Sequence, residues 1–369
     1  MITHLPDASE PRLTIDLDAL AANFATLQAL SSGAEVAPVL KADAYGIGAA
    51  RAASRLWAEG ARTFFVARAS EGEALRASLG VDRPADIYVL DGCPPGLAPR
   101  LRSARLIPVL NGLDQVEAWS AAADVRAPLP CALHIDTGLN RLGLRPEEAR
   151  ALADAPGRLN RLDLRLVMSH LACSNAPDHP MNAVQLASFR EIGAAFPEAR
   201  LSLSNSSGVF LGPDYAFDMV RPGISLYGGG PFEIPDPRIA PVATLEAPLL
   251  QVRTVRPGES IGYGASVTVE KPTRIGIIAL GYGDGVLRSA SPSGYGWLSG
   301  RRCRLIGRIS MDLIAMDVTD ARDAAPGMLV ELFGARLLLD HAAAAAGTIA
   351  YELLSRIAGR VARVYQGTL

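Results

Sequence analysis

The chain has 369 residues, 49% of them hydrophobic, with a formal net charge of −2 and a pI near 6.2. That is enough apolar material for one large domain and a smaller one, and the charge gives no reason to expect nucleic acid or an anionic membrane as partner. The apolar runs are too short to span a bilayer.

The start, MITHLPDASEP, has neither a basic nor an apolar leader region, so a cytoplasmic location is expected. Cys93, Cys131, Cys173 and Cys303 are scattered in a way that fits reduced thiols, and five dispersed histidines have no zinc-like spacing. No metal is expected.

After a loose lead-in over residues 1–12, Leu13 to Leu30 reads as a strand and then a helix capped at Asp18. From about residue 35, apolar runs recur at 36–40, 63–67, 86–90, 106–110, 131–135, 164–168, 201–204 and 217–220. They have the composition of strands buried on both faces of a parallel sheet. Between them lie helix patterns: 71–79, with Ser70 as N-cap and Glu73 as the capping-box partner; 146–154, opened by Pro146; and roughly 180–195. Eight strands alternating with helices predict a (β/α)8, TIM-like barrel, with a doubly wound open sheet as the competing layout. The first domain is expected over residues 1–235.

Beyond Gly228-Gly229-Gly230 the texture changes. Five prolines in 231–248 suggest a linker, and runs at 249–255, 265–269, 274–280, 302–309, 313–318 and 328–333 follow without long helices between them. A smaller, mostly β C-terminal domain is expected over 236–369, closed by short helices near 340–346 and 349–357.

Only two of the 36 basic residues are lysines, Lys41 and Lys271. A primary amine can lose its proton and add to a carbonyl, which arginine cannot. Lys271 precedes Pro272 in a polar turn and reads as a solvated residue. Lys41 ends the run Val36–Leu40 and opens a glycine-containing loop, where desolvation lowers an amine's pKa. In a barrel, function gathers at the carboxyl ends of the strands. Lys41 follows the first strand there, Asp136 and Arg141 the fifth, His170 the sixth, Asn205 and Ser206 the seventh, and Arg221-Pro222-Gly223-Ile224 the eighth. Loops after the last two strands offer hydroxyls (Ser204, Ser206, Ser207) and backbone N–H groups around Gly223, suited to a phosphate. An amine and a phosphate cradle on one rim suggest pyridoxal 5′-phosphate (PLP) bound through Lys41. Gly46-Ile47-Gly48 is not a dinucleotide loop, since Arg51 holds the third glycine position, and Gly281–Gly285 lacks the helix of a phosphate loop.

The motifs Val39–Gly46, Asp136–Gly138, Arg141–Gly143, Ser169-His170, Asn205-Ser206, Val220–Gly223, Gly262–Ala265, Gly281–Gly285, Gly307–Asp312 and Tyr351-Glu352 occur in one order along the chain. In them the chain resembles the alanine racemases, from about residue 12 to 365. The resemblance implies a PLP enzyme that interconverts L- and D-alanine as a homodimer with shared sites. Lys41 would be the Schiff-base lysine and one catalytic base, and Tyr263 of the second subunit the other. Tyr45, Ser206, Gly223, Ile224 and Tyr351 would hold the phosphate, with Asn205 beside them. Arg221, backed by His170, would face the pyridine nitrogen. Arg141 would lie near the phenolic oxygen and the tyrosine base, Met311 and Asp312 would help bind the substrate carboxylate, and Tyr282 and Arg288 would line the entrance.

Racemisation takes a proton from one face of Cα and returns one to the other, so two flanking bases make chemical sense. One departure stands out: many relatives carry a carbamylated lysine where this chain has His134, which cannot form that carbamate. Supply of D-alanine to the cell wall and alanine catabolism are both open as roles. The alternatives are a racemase of another amino acid such as serine, a decarboxylase of related architecture, and a non-catalytic PLP-binding protein.

Overall fold

The computed structural model describes residues 10–368, so the lead-in expected over residues 1–12 lies outside the described residues as far as residue 9. The chain forms two compact units, one of residues 21–44 and 49–226 and the other of residues 10–20, 45–48 and 227–368. Among the described residues no helix is long and apolar enough to cross a membrane.

The first strand, β1 (Arg12–Asp16), belongs to the second unit. The first unit carries β2 (Glu35–Val36), β3 (Thr63–Val66), β4 (Asp86–Val89), β5 (Ile107–Leu110), β6 (Leu129–His134), β7 (Leu162–Met168), β8 (Arg200–Ser202) and β9 (Met219–Val220). Each of the eight apolar runs supplies one of these strands. β3 to β8 pair in sequence order as a parallel ladder, and β2 pairs in parallel with β9. A parallel bridge between Val39 and Phe65 joins β2 to β3. On the other side, Asp218 N donates to Leu201 O at 3.1 Å and Arg221 N to Ser204 O at 2.8 Å, which completes the ring. Phe64, Phe65, Leu133 and Val167 are fully buried, as expected of strands covered on both faces.

Two caps differ from expectation. The helix after β3 spans Ala69–Leu79, and its first turn is held by Glu71 rather than by Ser70 and Glu73: Glu71 Oε2 accepts from Ala67 N at 2.8 Å and Arg68 N at 3.0 Å. Glu73 instead pairs with Arg100 at 2.7 Å. The helix Leu17–Leu30 is capped by Asp16, not Asp18, because Asp16 Oδ1 accepts from the N–H groups of Asp18 and Ala19. Asp16 meets two first-turn N–H groups, whereas Glu71 reaches back to the N–H groups of the N-cap Arg68 and of Ala67 before it.

In the second unit β1 is sandwiched between the antiparallel β10 (Ala243–Val255) and the parallel β18 (Ala362–Gln366). β10 begins inside the stretch expected to be a linker. Its first half pairs with β17 (Leu329–Phe333); after an irregularity between Leu249 and Gln251 its second half pairs with β13 (Thr273–Ile278), which in turn pairs with β16 (Ile314–Asp317). β14 (Tyr295–Leu298) and β15 (Arg301–Arg304) form an antiparallel pair, and β11 (Ser260–Ile261) with β12 (Val267–Thr268) a smaller one. Val255, Ile261, Val269 and Ile275 form a satellite core beneath that small hairpin. The two short closing helices are Leu339–Ala345 and Ala350–Ser355.

Candidate active site

Lys41 stands where the chain leaves the first barrel strand, half-buried, and the backbone after it turns left-handed: Ala42, Asp43, Ala44 and Tyr45 have φ from +53° to +57°. Left-handed geometry costs about 1–2 kcal/mol per non-glycine residue, so the turn needs external support. Glu71 Oε1 accepts from Ala42 N at 2.7 Å, and Asp43 Oδ1 accepts from Ala49 N at 2.7 Å. Burial lowers the pKa of Lys41 and the Arg141 guanidinium lowers it further, against an opposing pull from Glu71. The result is an amine with a larger neutral fraction than an ordinary lysine.

Arg141 belongs to the loop that leaves β6. Asp136 Oδ1 gathers the N–H groups of Gly138, Leu139 and Asn140 at 2.9–3.0 Å, which fixes the loop's entry. Its exit folds back on the strand end through Leu144 N to His134 O and Asp136 N to Leu144 O, each 2.8 Å. Gly143 makes this fold-back feasible: its φ is +117°, and a Cβ there would meet Asp136 N at 2.8 Å.

His134 is buried and its Nδ1 lies 2.8 Å from Asn111 Oδ1. Asn111 spends its Nδ2 protons on Leu90 O and Val109 O, both at 2.9 Å, so its Oδ1 is an acceptor and His134 carries hydrogen on Nδ1. Burial first, then Arg221 and Arg141, pull the His134 pKa down to about 4, so the ring is neutral. The residue at the departing position is thus a neutral hydrogen-bonded imidazole.

Arg221 is buried, and its guanidinium donates to Ser202 Oγ, to Ser169 O at 2.5 Å and to Leu203 O at 3.4 Å. Burial lowers its pKa to about 9, which leaves it charged at neutral pH. His170 next to Ser169 has its pKa lowered by burial and then by Arg221, so it too is neutral. Gln185 braces this segment by donating to His170 O at 3.0 Å and to Thr137 Oγ1 at 3.1 Å.

Ser206 Oγ accepts from Gly223 N at 2.8 Å and from Ser225 N at 3.3 Å, which leaves its own proton to donate. Ser225 Oγ is buried and has no hydrogen-bond partner among the described residues. An orphan hydroxyl beside a donor-rich turn suits a group with many acceptor oxygens, which is what a phosphate is. Asn205 Oδ1 accepts from Gly208 N at 2.9 Å and Ser174 Oγ at 3.0 Å, so it shapes this turn from behind. Ile224 is fully buried beneath it.

The remaining expected residues lie in the second unit. Tyr45 stacks obliquely with Tyr227 (centroids 4.9 Å apart) and Tyr351 (5.9 Å), and burial pushes its pKa well above the usual phenol range. Tyr263 occupies a turn between Gly262 and Gly264 and is 71% exposed. With Arg308, Gln251 and Ser310 it lines a cavity of about 700 Å³. Met311 and Tyr282 are also exposed, as is Arg288. The Met311 carbonyl accepts from Gly283 N at 2.8 Å and Tyr282 N donates to Ser310 O at 3.0 Å. That close approach requires Gly281, where a Cβ would meet Met311 O at 2.2 Å. Arg360 ties the group together, donating to Asp284 Oδ1 at 2.6 Å and Asp312 Oδ1 at 2.8 Å.

Glu71, Asn111, Ser225 and Arg360 were not picked out from the sequence. Only Glu71 left a signal, as an acidic residue in the first turn of a predicted helix; Asn111 and Arg360 act through partners far away in the chain, and Ser225 is marked by its orphan hydroxyl.

Comparison with known proteins matches this arrangement over nearly the whole chain. Residues 15–231 match the model of the alanine racemase N-terminal domain and residues 242–365 that of the alanine racemase C-terminal domain. An alanine racemase of Rhizobium meliloti (strain 1021) is 46% identical, the alignment covering 98% of each chain. Among solved structures, an alanine racemase from Bartonella henselae with covalently bound pyridoxal phosphate superposes with a TM-score of 0.91 at 34% identity, covering 97% of this chain and 99% of that one. The biosynthetic alanine racemase from Pseudomonas aeruginosa gives 0.91 at 36%, again with 97% and 99% coverage.

Proposed function

The chain belongs to the alanine racemase family, and from that premise we propose that it interconverts L- and D-alanine with PLP held through Lys41. The observation that carries the reading is the half-buried Lys41 amine, its pKa lowered, on the same barrel rim as the Ser206 and Ser225 hydroxyls. When bound, PLP withdraws electrons from the substrate Cα and makes its hydrogen acidic.

The chain's own groups do the rest. Lys41, neutral more of the time than an ordinary lysine, attaches the cofactor and carries the proton on one face of Cα. Tyr263 of a second copy carries it on the other, which makes the working unit a homodimer and accounts for an exposed tyrosine on an ordered turn. Ser206, Ser225, Gly223, Tyr45 and Tyr351 hold the phosphate, with Asn205 and Ile224 supporting the turn. Arg221, charged and anchored on Ser202 and Ser169, would face the pyridine nitrogen and, keeping its own proton, would disfavour protonation there. Arg141 orients the phenolic oxygen and the tyrosine base. The Met311 backbone and Asp312 receive the substrate carboxylate beside Tyr282. The location is cytoplasmic, and the domain division falls near residue 235.

Chiral chromatography after incubating the purified protein and PLP with L-alanine, L-serine and larger L-amino acids tests the reading. D-alanine rising to near parity while the others lag is the expected result. A different leading D-amino acid overturns the substrate assignment, and no D-amino acid at all overturns the racemase reading.

A further inference from the structure

A charged cavity of the barrel unit lies at the end opposite Lys41. It opens among the residues that begin the strands (Glu35 of β2, Thr63 of β3, Asp86 of β4, Ile107 of β5, Leu129 of β6, Arg200 of β8) and has a volume of about 790 Å³, within the range of small-molecule sites. Six arginines line it: Arg62, Arg76, Arg102, Arg105, Arg165 and Arg200. Against them stand two lining carboxylates, and both are engaged. Arg165 pairs with Asp86 at 3.3 Å and Arg200 with Glu35 at 2.6 Å.

The other four arginines have no carboxylate partner among the described residues. Two are pinned in place by backbone oxygens. Arg62 donates to Trp57 O and Ala61 O at 2.9 Å and lies 3.9 Å above the Trp57 ring, and Arg76 donates to Arg105 O at 2.8 Å. Each guanidinium has five N–H donors, so both keep donors to spare. Arg102 and Arg105 are exposed at the mouth, and Arg105 is held in a left-handed conformation at φ +51°. Burial and then the nearness of Arg105 lower the pKa of Arg76, with Asp86, already paired to Arg165, opposing them. The walls between them are apolar, from Val81, Pro84, Leu106 and Ile107.

Paired charges or apolar packing would serve stability at the amino-terminal end of a barrel; four arginines without a paired carboxylate around a hollow do neither. Fixed guanidinium forks match phosphate oxygens, and four arginines outside any ion pair suit a ligand with three or four negative charges on an organic body. We propose that this cavity binds a small organic di- or triphosphate, at a site separate from the one that holds PLP.

The test is isothermal titration calorimetry of the intact PLP-loaded protein with ATP and, separately, inorganic tripolyphosphate, at low and at high salt. Saturable binding of ATP that weakens as salt rises is expected. The double variant Arg102→Gln, Arg105→Asn should weaken it at least tenfold while the racemisation rate without added phosphate stays unchanged. Both positions are exposed, and asparagine tolerates the left-handed backbone at 105. Tripolyphosphate binding as tightly as ATP supports the site with recognition by the phosphates alone; tighter ATP supports it with the apolar wall contributing. No saturable heat with either ligand, or binding that the double variant leaves intact, overturns the proposal. Neither result touches the racemase reading, which is scored by D-alanine formation.

Discussion

The barrel unit and the β unit prepare their functional residues differently. On the barrel, several polar groups are buried and braced: Arg221 bonds three oxygens, His134 is paired to Asn111, and Gln185 links Thr137 to the His170 carbonyl. On the β unit, Tyr263, Met311 and Tyr282 are 71%, 54% and 41% exposed, although the turns beneath them are held by Gly281, Asp284 and Arg360. A barrel can preorganise a site from its own strand ends, whereas side chains on exposed β turns need a second surface to desolvate them. The contrast supports a reaction in which one base is built in and the other is brought by a partner.

The largest expected effect tests the built-in half. Lys41→Ala should lower alanine racemisation by at least about 10⁴-fold, since the covalent link and one proton carrier go together. It should also abolish the lysine-linked cofactor absorbance; a variant that keeps both breaks the comparison. Tyr263→Phe should cost about 10²–10⁴-fold in kcat with the cofactor spectrum unchanged, because the barrel site does not depend on it. A spectrum that changes with it would mean the two halves are not separately assembled.

A third prediction concerns the braced interior. His134 is neutral when folded, with a pKa of about 4 against an ordinary 6.5. Between those values the unfolded chain binds the extra proton, so stability is full above pH 6.5 and falls as pH drops towards 4, by about 3 kcal/mol at most. Urea unfolding of the wild type and of His134→Gln across that window should show the wild type losing its advantage as pH falls. Parallel curves would place the effect elsewhere. The smallest effect is expected at Glu71→Ala, which strips an acceptor from the N–H groups of Ala42, Ala67 and Arg68. Stability should fall by about 1–2 kcal/mol in urea, and kcat should fall with it because the turn that follows Lys41 loosens.

Much of this was legible beforehand because the signals are local. The eight barrel strands are continuous apolar runs and all eight formed, and Lys41 was conspicuous in a chain with one other lysine. The misses have one kind of cause. β14 is four residues with a glycine inside and β18 carries an arginine among its apolar residues, and their place in the sheet is set by pairing with β17 and with β1 across long stretches of chain. Glu71 displaced Ser70 and Glu73 as cap because it also meets Ala42, 29 residues away. Arg360 meets Asp284 across 76 residues.

The sequence by itself determined the element types, the barrel period and which reactive side chains would stand at strand ends, since periodicity and residue chemistry are properties of neighbours along the chain. Only the tertiary structure decided which carboxylate caps which turn, that His134 is a neutral partner of Asn111, and that four arginines outside any ion pair line one cavity. Hydrogen bonds and burial depend on which distant groups arrive at the same place, and that is settled when the strands pair.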